Sequence, residues 1–177
     1  GNLSRGGNPE GKEVIGLLTR MRIDPKTGKV LSTRTVHNES CEFPTAPDNQ
    51  VGKHWRHSLF VMNSPSVIDK VNEYSGAIGR YDHKKDSMQV YDYGKDNYTS
   101  EPILAGSKVN PEEGYVLTVV YNAEEDASEV YVHKSESLKE VVCKLRLPSV
   151  IPPGFHGRWS NEISQDCFET FNANLSF

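Results

Sequence analysis

The sequence predicts an all-β protein, and two observations carry that prediction. Short apolar, β-branched runs recur along the chain, separated by clusters of proline, glycine, asparagine and aspartate, the residues that make turns between strands. Helical periodicity is weak and confined to Ile163–Phe171. Short strands at this spacing build a sandwich, a barrel or a propeller, and the pattern alone does not choose among them.

In chain order, residues 1–12 lack the apolar centre of a signal peptide and read as a flexible tail; residues 13–177 carry the β-rich remainder. Val14–Ile23 is apolar and branched, and Asp24-Pro25-Lys26-Thr27-Gly28 is a turn leading to a partner strand at Val30–Val36. Asn38–Pro44 reads as a polar loop presenting Glu42 and Phe43. Trp55–Met62 is the next strand, whereas Asn63–Ser75 is ambiguous, broken by Pro65. Ala77–Asp82 and Met88–Tyr93 form a hairpin across His83-Lys84-Lys85-Asp86. Tyr115–Tyr121 is apolar on both faces, which predicts an inner strand covered on both sides. An acidic turn at Asn122–Ala127 leads to strands at Glu129–His133 and Val141–Leu147.

Composition removes several function classes. The net charge is −4 with both signs interspersed, which argues against nucleic acid as a partner. No apolar run approaches the ~18 residues of a membrane span. Cys41, Cys143 and Cys167 show no C-x-x-C spacing and are odd in number, so a reduced, cytoplasmic setting is expected. There is no G-x-S-x-G, no P-loop and no G-x-G-x-x-G after a strand, so neither hydrolase nor nucleotide chemistry finds support.

The stretch most suggestive of chemistry is Leu147–Trp159, LPSVIPPGFHGRW. Pro152 and Pro153 fix their own φ and press the preceding residues into extended conformations. Gly154 and Gly157 permit a tight turn on either side of His156, and Phe155 and Trp159 offer apolar walls. An imidazole on a stiff corner suits a metal site, which needs fixed ligand geometry. The other histidines invite plainer readings. His54 and His57, placed on one strand, would face opposite sides and could not share a metal; His37, His83 and His133 fall at strand ends or in a turn.

Three stretches in this order, SCEFP at Ser40–Pro44, EPILA at Glu101–Ala105 followed by Glu112–Val132, and the LP…PPGFHG ending, make the chain resemble the C-terminal part of the carotenoid cleavage oxygenases. The resemblance runs from Leu18 to Trp159. It implies the C-terminal blades of a seven-bladed β-propeller whose axial ferrous iron, Fe2+, is held by four histidines from different blades. It also implies that His156 is one of those ligands and that Glu42 and Glu101 are carboxylates that orient ligand rings. The other three ligands would precede Leu18, outside this sequence. The parent enzyme would use dioxygen to cleave a conjugated C=C bond of an apolar carotenoid, apocarotenoid or stilbene-like substrate into two carbonyl products. Peripheral association of the full-length parent with a membrane is compatible with the resemblance. The isolated chain would be inactive. Ile103-Leu104-Ala105 departs from the aromatic and proline that often follow the EP pair in that family, so Glu101 aligns less securely than His156. The alternative is a catalytically silent β-domain that serves as a binding or structural module. Residues 160–177 have no assigned role.

Overall fold

The structure is a computed structural model describing residues 16–47, 50–66, 75–107, 109–110, 113–152, 154 and 156–160. The tail at 1–12, most of the ambiguous stretch after Asn63, and Ile163–Phe171 lie outside the described residues. No α-helix occurs among the described residues, and eleven strands organise them. These are β1 (Thr19–Ile23), β2 (Val30–Thr35), β3 (Cys41–Thr45), β4 (His57–Met62), β5 (Ala77–Asp82), β6 (Ser87–Asp92), β7 (Asn97–Thr99), β8 (Ile103–Gly106), β9 (Gly114–Asn122), β10 (Ala127–Lys134) and β11 (Ser137–Arg146).

Every pairing is antiparallel. β1 and β2 form a two-stranded hairpin, β3-β4-β5-β6 a four-stranded meander, and β11-β10-β9-β7 a second sheet in which β8 also pairs with β9. The turns follow from their sequences. Asp24 accepts the Lys26 N–H at 2.9 Å and the Thr27 hydroxyl at 2.8 Å, and Gly28 supplies φ +69°. The β5–β6 and β9–β10 turns share one design. Asp82 or Asn122 accepts two backbone N–H groups at the start, and Asp86 or Asp126 closes in the left-handed region.

Four expectations need correction. Asn38–Pro44 is not simply a loop, because Cys41–Thr45 pairs with β4 as an edge strand; its Pro44 lacks a ladder donor, which disguises it in sequence. β7 was not predicted, being only three residues long, too short to show alternation. β10 and β11 start before the predicted runs, β10 because the buried Ala127 and Ser128 pair with Asn122 and Tyr121, and β11 because exposed polar positions, such as Lys139 and Glu140, continue the edge. The strand covered on both faces is β4 rather than β9. Ser58–Met62 is buried throughout, whereas β9 buries Val116, Thr118 and Val120 and leaves Leu117, Val119 and Tyr121 half-buried.

β4 lies between two cores. Phe60 and Met62 join Cys41, Ala77 and Tyr81 on one side. Leu59 meets Ile78, Val116 and Leu138 on the other, where the four- and five-stranded sheets pack together. The Phe60 ring lies directly over its cross-strand partner Gly79, where a Cβ would come within 2.3 Å of it. Glycine is therefore required at that position.

Candidate metal-ligand site

Glu101 stands at the junction of β7 and β8, and the junction is pinned. The Ser100 N–H donates to the Val119 carbonyl at 2.9 Å, the Val119 N–H returns to the Ser100 hydroxyl at 3.1 Å, and the buried Thr118 hydroxyl donates to the Ser100 carbonyl at 2.8 Å. Pro102 is fully buried. The kink thus turns Glu101 out of the ladder while both its neighbours stay locked, and its side chain is 13% exposed.

His156 arrives from the other direction. After β11 the chain is tied back to Ser128 twice, through the Leu147 N–H to its carbonyl at 2.9 Å and the Ile151 N–H to its hydroxyl at 3.0 Å. The His156 imidazole then places Nδ1 3.3 Å from Glu101 Oε2, and the Gly157 N–H donates to that same oxygen at 3.1 Å. A carboxylate only accepts, so a neutral imidazole in this contact carries its proton on Nδ1 and leaves the Nε2 lone pair for another partner. This is the arrangement a metal-binding histidine uses. The ring is 72% exposed, so packing alone does not fix it.

The sequence-derived residues therefore separate. Glu101 and His156 meet, although they are 55 positions apart. Glu42 is exposed on β3, and it is the next residue, Phe43, whose ring lies perpendicular to that of His156, with centroids 5.2 Å apart. Phe43 has φ +51°. It sits in a bulge where Phe43 and Pro44 oppose the single residue Phe60, between the Glu42–Val61 and Thr45–Leu59 pairs. A left-handed bulge position is one that glycine usually fills, and a bulky residue there costs on the order of 1–3 kcal/mol. Sequence reasoning placed Phe43 beside Glu42 in a polar loop and gave it no role; no local signal marks a left-handed phenylalanine.

A hollow of about 220 Å³ adjoins the pair, walled by Tyr98, Ile103, Val119, Tyr121, Ile151 and Pro152 and reached by Glu101 and His156. Tyr98 and Tyr121 are cross-strand partners in its wall, their rings near-parallel with centroids 6.3 Å apart.

The remaining histidines lie away from this pair. His54 precedes β4 rather than lying on it, so strand alternation does not relate it to His57. His57 Nε2 is 3.4 Å from Asp82, which Arg56 also grips through two bonds of 3.0 and 2.7 Å; that guanidinium holds the Asp82 carboxyl far below its usual range. His83 Nε2 lies 2.9 Å from the Ser58 hydroxyl, and burial pushes its pKa down. The His37 ring lies near Phe60. His133 is fully buried between the sheets. Among the described residues, no three histidine, cysteine, aspartate or glutamate side chains gather into a metal site.

The fold and this pair define an antiparallel β-protein that presents a carboxylate-oriented imidazole beside an apolar hollow. The model of the family described as retinal pigment epithelial membrane protein matches residues 4–161, and the chain belongs to that family. It is 24% identical over 178 residues to carotenoid cleavage oxygenase 1 of Neurospora crassa, covering 92% of this chain and 34% of that protein. It is 26% identical over 148 residues to apocarotenoid-15,15'-oxygenase of Synechocystis, covering 82% and 29%. The crystal structure of cobalt-substituted Synechocystis ACO superposes with a TM-score of 0.73 at 25% identity, over 82% of this chain and 30% of that one. The chain thus spans about a third of the length of these relatives.

Proposed function

We propose that this chain is the portion of a longer non-haem iron oxygenase that supplies one of its metal ligands, His156. The observation that carries the reading is the 3.3 Å contact between His156 Nδ1 and Glu101 Oε2. The residues fit a ferrous ion as one ligand of several. Glu101 holds the proton on Nδ1, keeps the tautomer that leaves Nε2 bare, and raises the basicity of the ring. Four neutral imidazoles would leave an iron its full positive charge and open positions for dioxygen and substrate. Glu42 would orient a ring contributed from outside this chain. The two meanders are read as blades of a seven-bladed propeller, with His156 toward its axis.

The proposed substrate is an apolar conjugated alkene, a carotenoid, apocarotenoid or stilbene, cleaved by dioxygen into two carbonyl products. The apolar hollow beside His156 supports that class. At about 220 Å³ it is smaller than an ordinary ligand pocket of roughly 300–1,000 Å³, so it would hold only one end of a long polyene. Ile103 and Val119 exclude water there, and Tyr98 and Tyr121 offer flat faces to a conjugated chain.

The test uses the longer protein containing this chain, with metal content measured after desalting and cleavage assayed on an apocarotenoid and a stilbene. His156→Ala is expected to abolish iron retention and turnover. Glu101→Gln is expected to weaken either by roughly 10- to 100-fold. Stoichiometric iron in the His156→Ala protein would overturn the reading. The 177-residue chain alone, given ferrous iron anaerobically and desalted, is expected to retain no stoichiometric metal.

A further inference from the structure

We propose that Phe43 is a positioning residue for the His156 imidazole, held in the left-handed region by the β3 bulge so that its ring stops the imidazole from turning. The proposal rests on the reading of His156 as a metal ligand and adds the device that orients it. The imidazole is largely exposed, so its orientation depends on few contacts. Among the described residues, two contacts hold it, from two different sheets: the Glu101 carboxylate at Nδ1 and the perpendicular Phe43 ring.

The two contacts do different work. A single hydrogen bond fixes where Nδ1 sits but leaves the ring free to rock about that bond. A half-turn about the Cβ–Cγ bond would also replace Nδ1 with a carbon and lose the bond. An aromatic ring packed at 80° to the imidazole plane opposes both motions. The backbone shows what maintains that packing. Pro44 favours an extended conformation with negative φ for the residue before it, so it is the bulge, which sets two residues against Phe60, that holds Phe43 out of that region. Phe43 therefore occupies φ +51°, where glycine would be less strained. Strain of this kind persists where surrounding structure enforces it, and it recurs at functional sites. A phenylalanine is retained where the backbone favours glycine, and its ring meets the imidazole that Glu101 orients.

The experiment is histidine ¹⁵N NMR of this chain at about pH 8, reading the ratio of Nδ1–H to Nε2–H tautomer at His156 without any metal. Phe43→Gly keeps the left-handed backbone and deletes the ring. It is expected to lower the ratio roughly two- to ten-fold, the range an aromatic pair supplies. Phe43→Tyr is expected to preserve the ratio, and Phe43→Leu, which retains apolar bulk without the ring, to lower it as glycine does. The amide fingerprint of β4 and β5 reports that each variant is folded; if the glycine variant is not, the leucine variant decides. An unchanged ratio in the glycine or leucine variant, or an equal fall in the tyrosine variant, would overturn the proposal. Failure of the longer protein to need His156 for iron would sink the metal reading instead, leaving the tautomer result standing.

Discussion

His133 and His156 carry the same side chain into opposite surroundings. His133 is completely buried, and both its nitrogens are satisfied by neutral groups. Nδ1 donates to the Leu138 carbonyl at 2.7 Å, and Nε2 accepts the Tyr93 hydroxyl at 2.8 Å. Tyr91 and Tyr131 pack around the ring, and Lys144 lies 4.5 Å over the Tyr131 ring. Burial pushes the pKa of His133 down, and burial likewise pushes the Tyr93 phenol far above its usual range. The hydrogen-bonded set of Tyr93, His133 and the Leu138 carbonyl is uncharged, and with Tyr91 it ties β6, β10 and β11 together. His156 has one nitrogen on a carboxylate, the other uncommitted, and an exposed ring. An imidazole whose two nitrogens are both engaged inside the protein is structural; one with a charged partner and a spare lone pair is equipped to bind.

The comparison predicts a large asymmetry in stability. His133→Ala removes a fully packed ring and orphans the Tyr93 hydroxyl, so urea unfolding should show a loss of about 3 kcal/mol. A loss below about 1 kcal/mol would mean that the buried network does not hold the sheets together.

The next effect is on pH. His133 and His83 both have folded pKa values below the ordinary 6.5, so the unfolded chain binds protons more readily. Their contribution is complete above that ordinary value and is lost as pH falls below it, toward the folded values. Asp82, whose pKa is depressed from 3.8, contributes its loss only in stronger acid. The unfolding free energy, and with it the urea midpoint, should therefore fall between about pH 7.5 and 5.5, the free energy by at most about 1.4 kcal/mol per pH unit for each histidine. A flat midpoint across that window would show that neither ring is held neutral by the fold.

The smallest expected effect sharpens the contrast most. His156→Ala in this chain should change unfolding stability by no more than about 0.5 kcal/mol, as exposed substitutions generally do. A loss comparable with that of His133→Ala would make His156 a structural residue and remove the basis for treating the two apart.

Much of this was legible in the sequence. Turn chemistry located the β1–β2, β5–β6 and β9–β10 hairpins, because aspartate, asparagine and glycine act through bonds to their immediate neighbours. His156 stood out through its flanking prolines and glycines, a local signal as well. The histidines at 37, 54, 57, 83 and 133 were set aside on grounds of position, yet nothing local indicated that His133 would be the most deeply buried of them. Its burial depends on Leu138 and Tyr93, which reach it across a turn and from another sheet.

The sequence by itself determined an antiparallel β-protein, its principal turns and a candidate histidine, since strand alternation and turn formation are short-range. Tertiary structure decided that β4, not β9, is the doubly covered strand, because burial depends on what packs against a face and not on the face's own composition. It also decided that Glu101 rather than Glu42 meets His156, and that Phe43 stands against that ring. Those contacts close loops of 55 and more residues, and their geometry is set by the bulge opposite Phe60 and the pinned kink before Pro102. Neither feature leaves a pattern in the residues that make the contact.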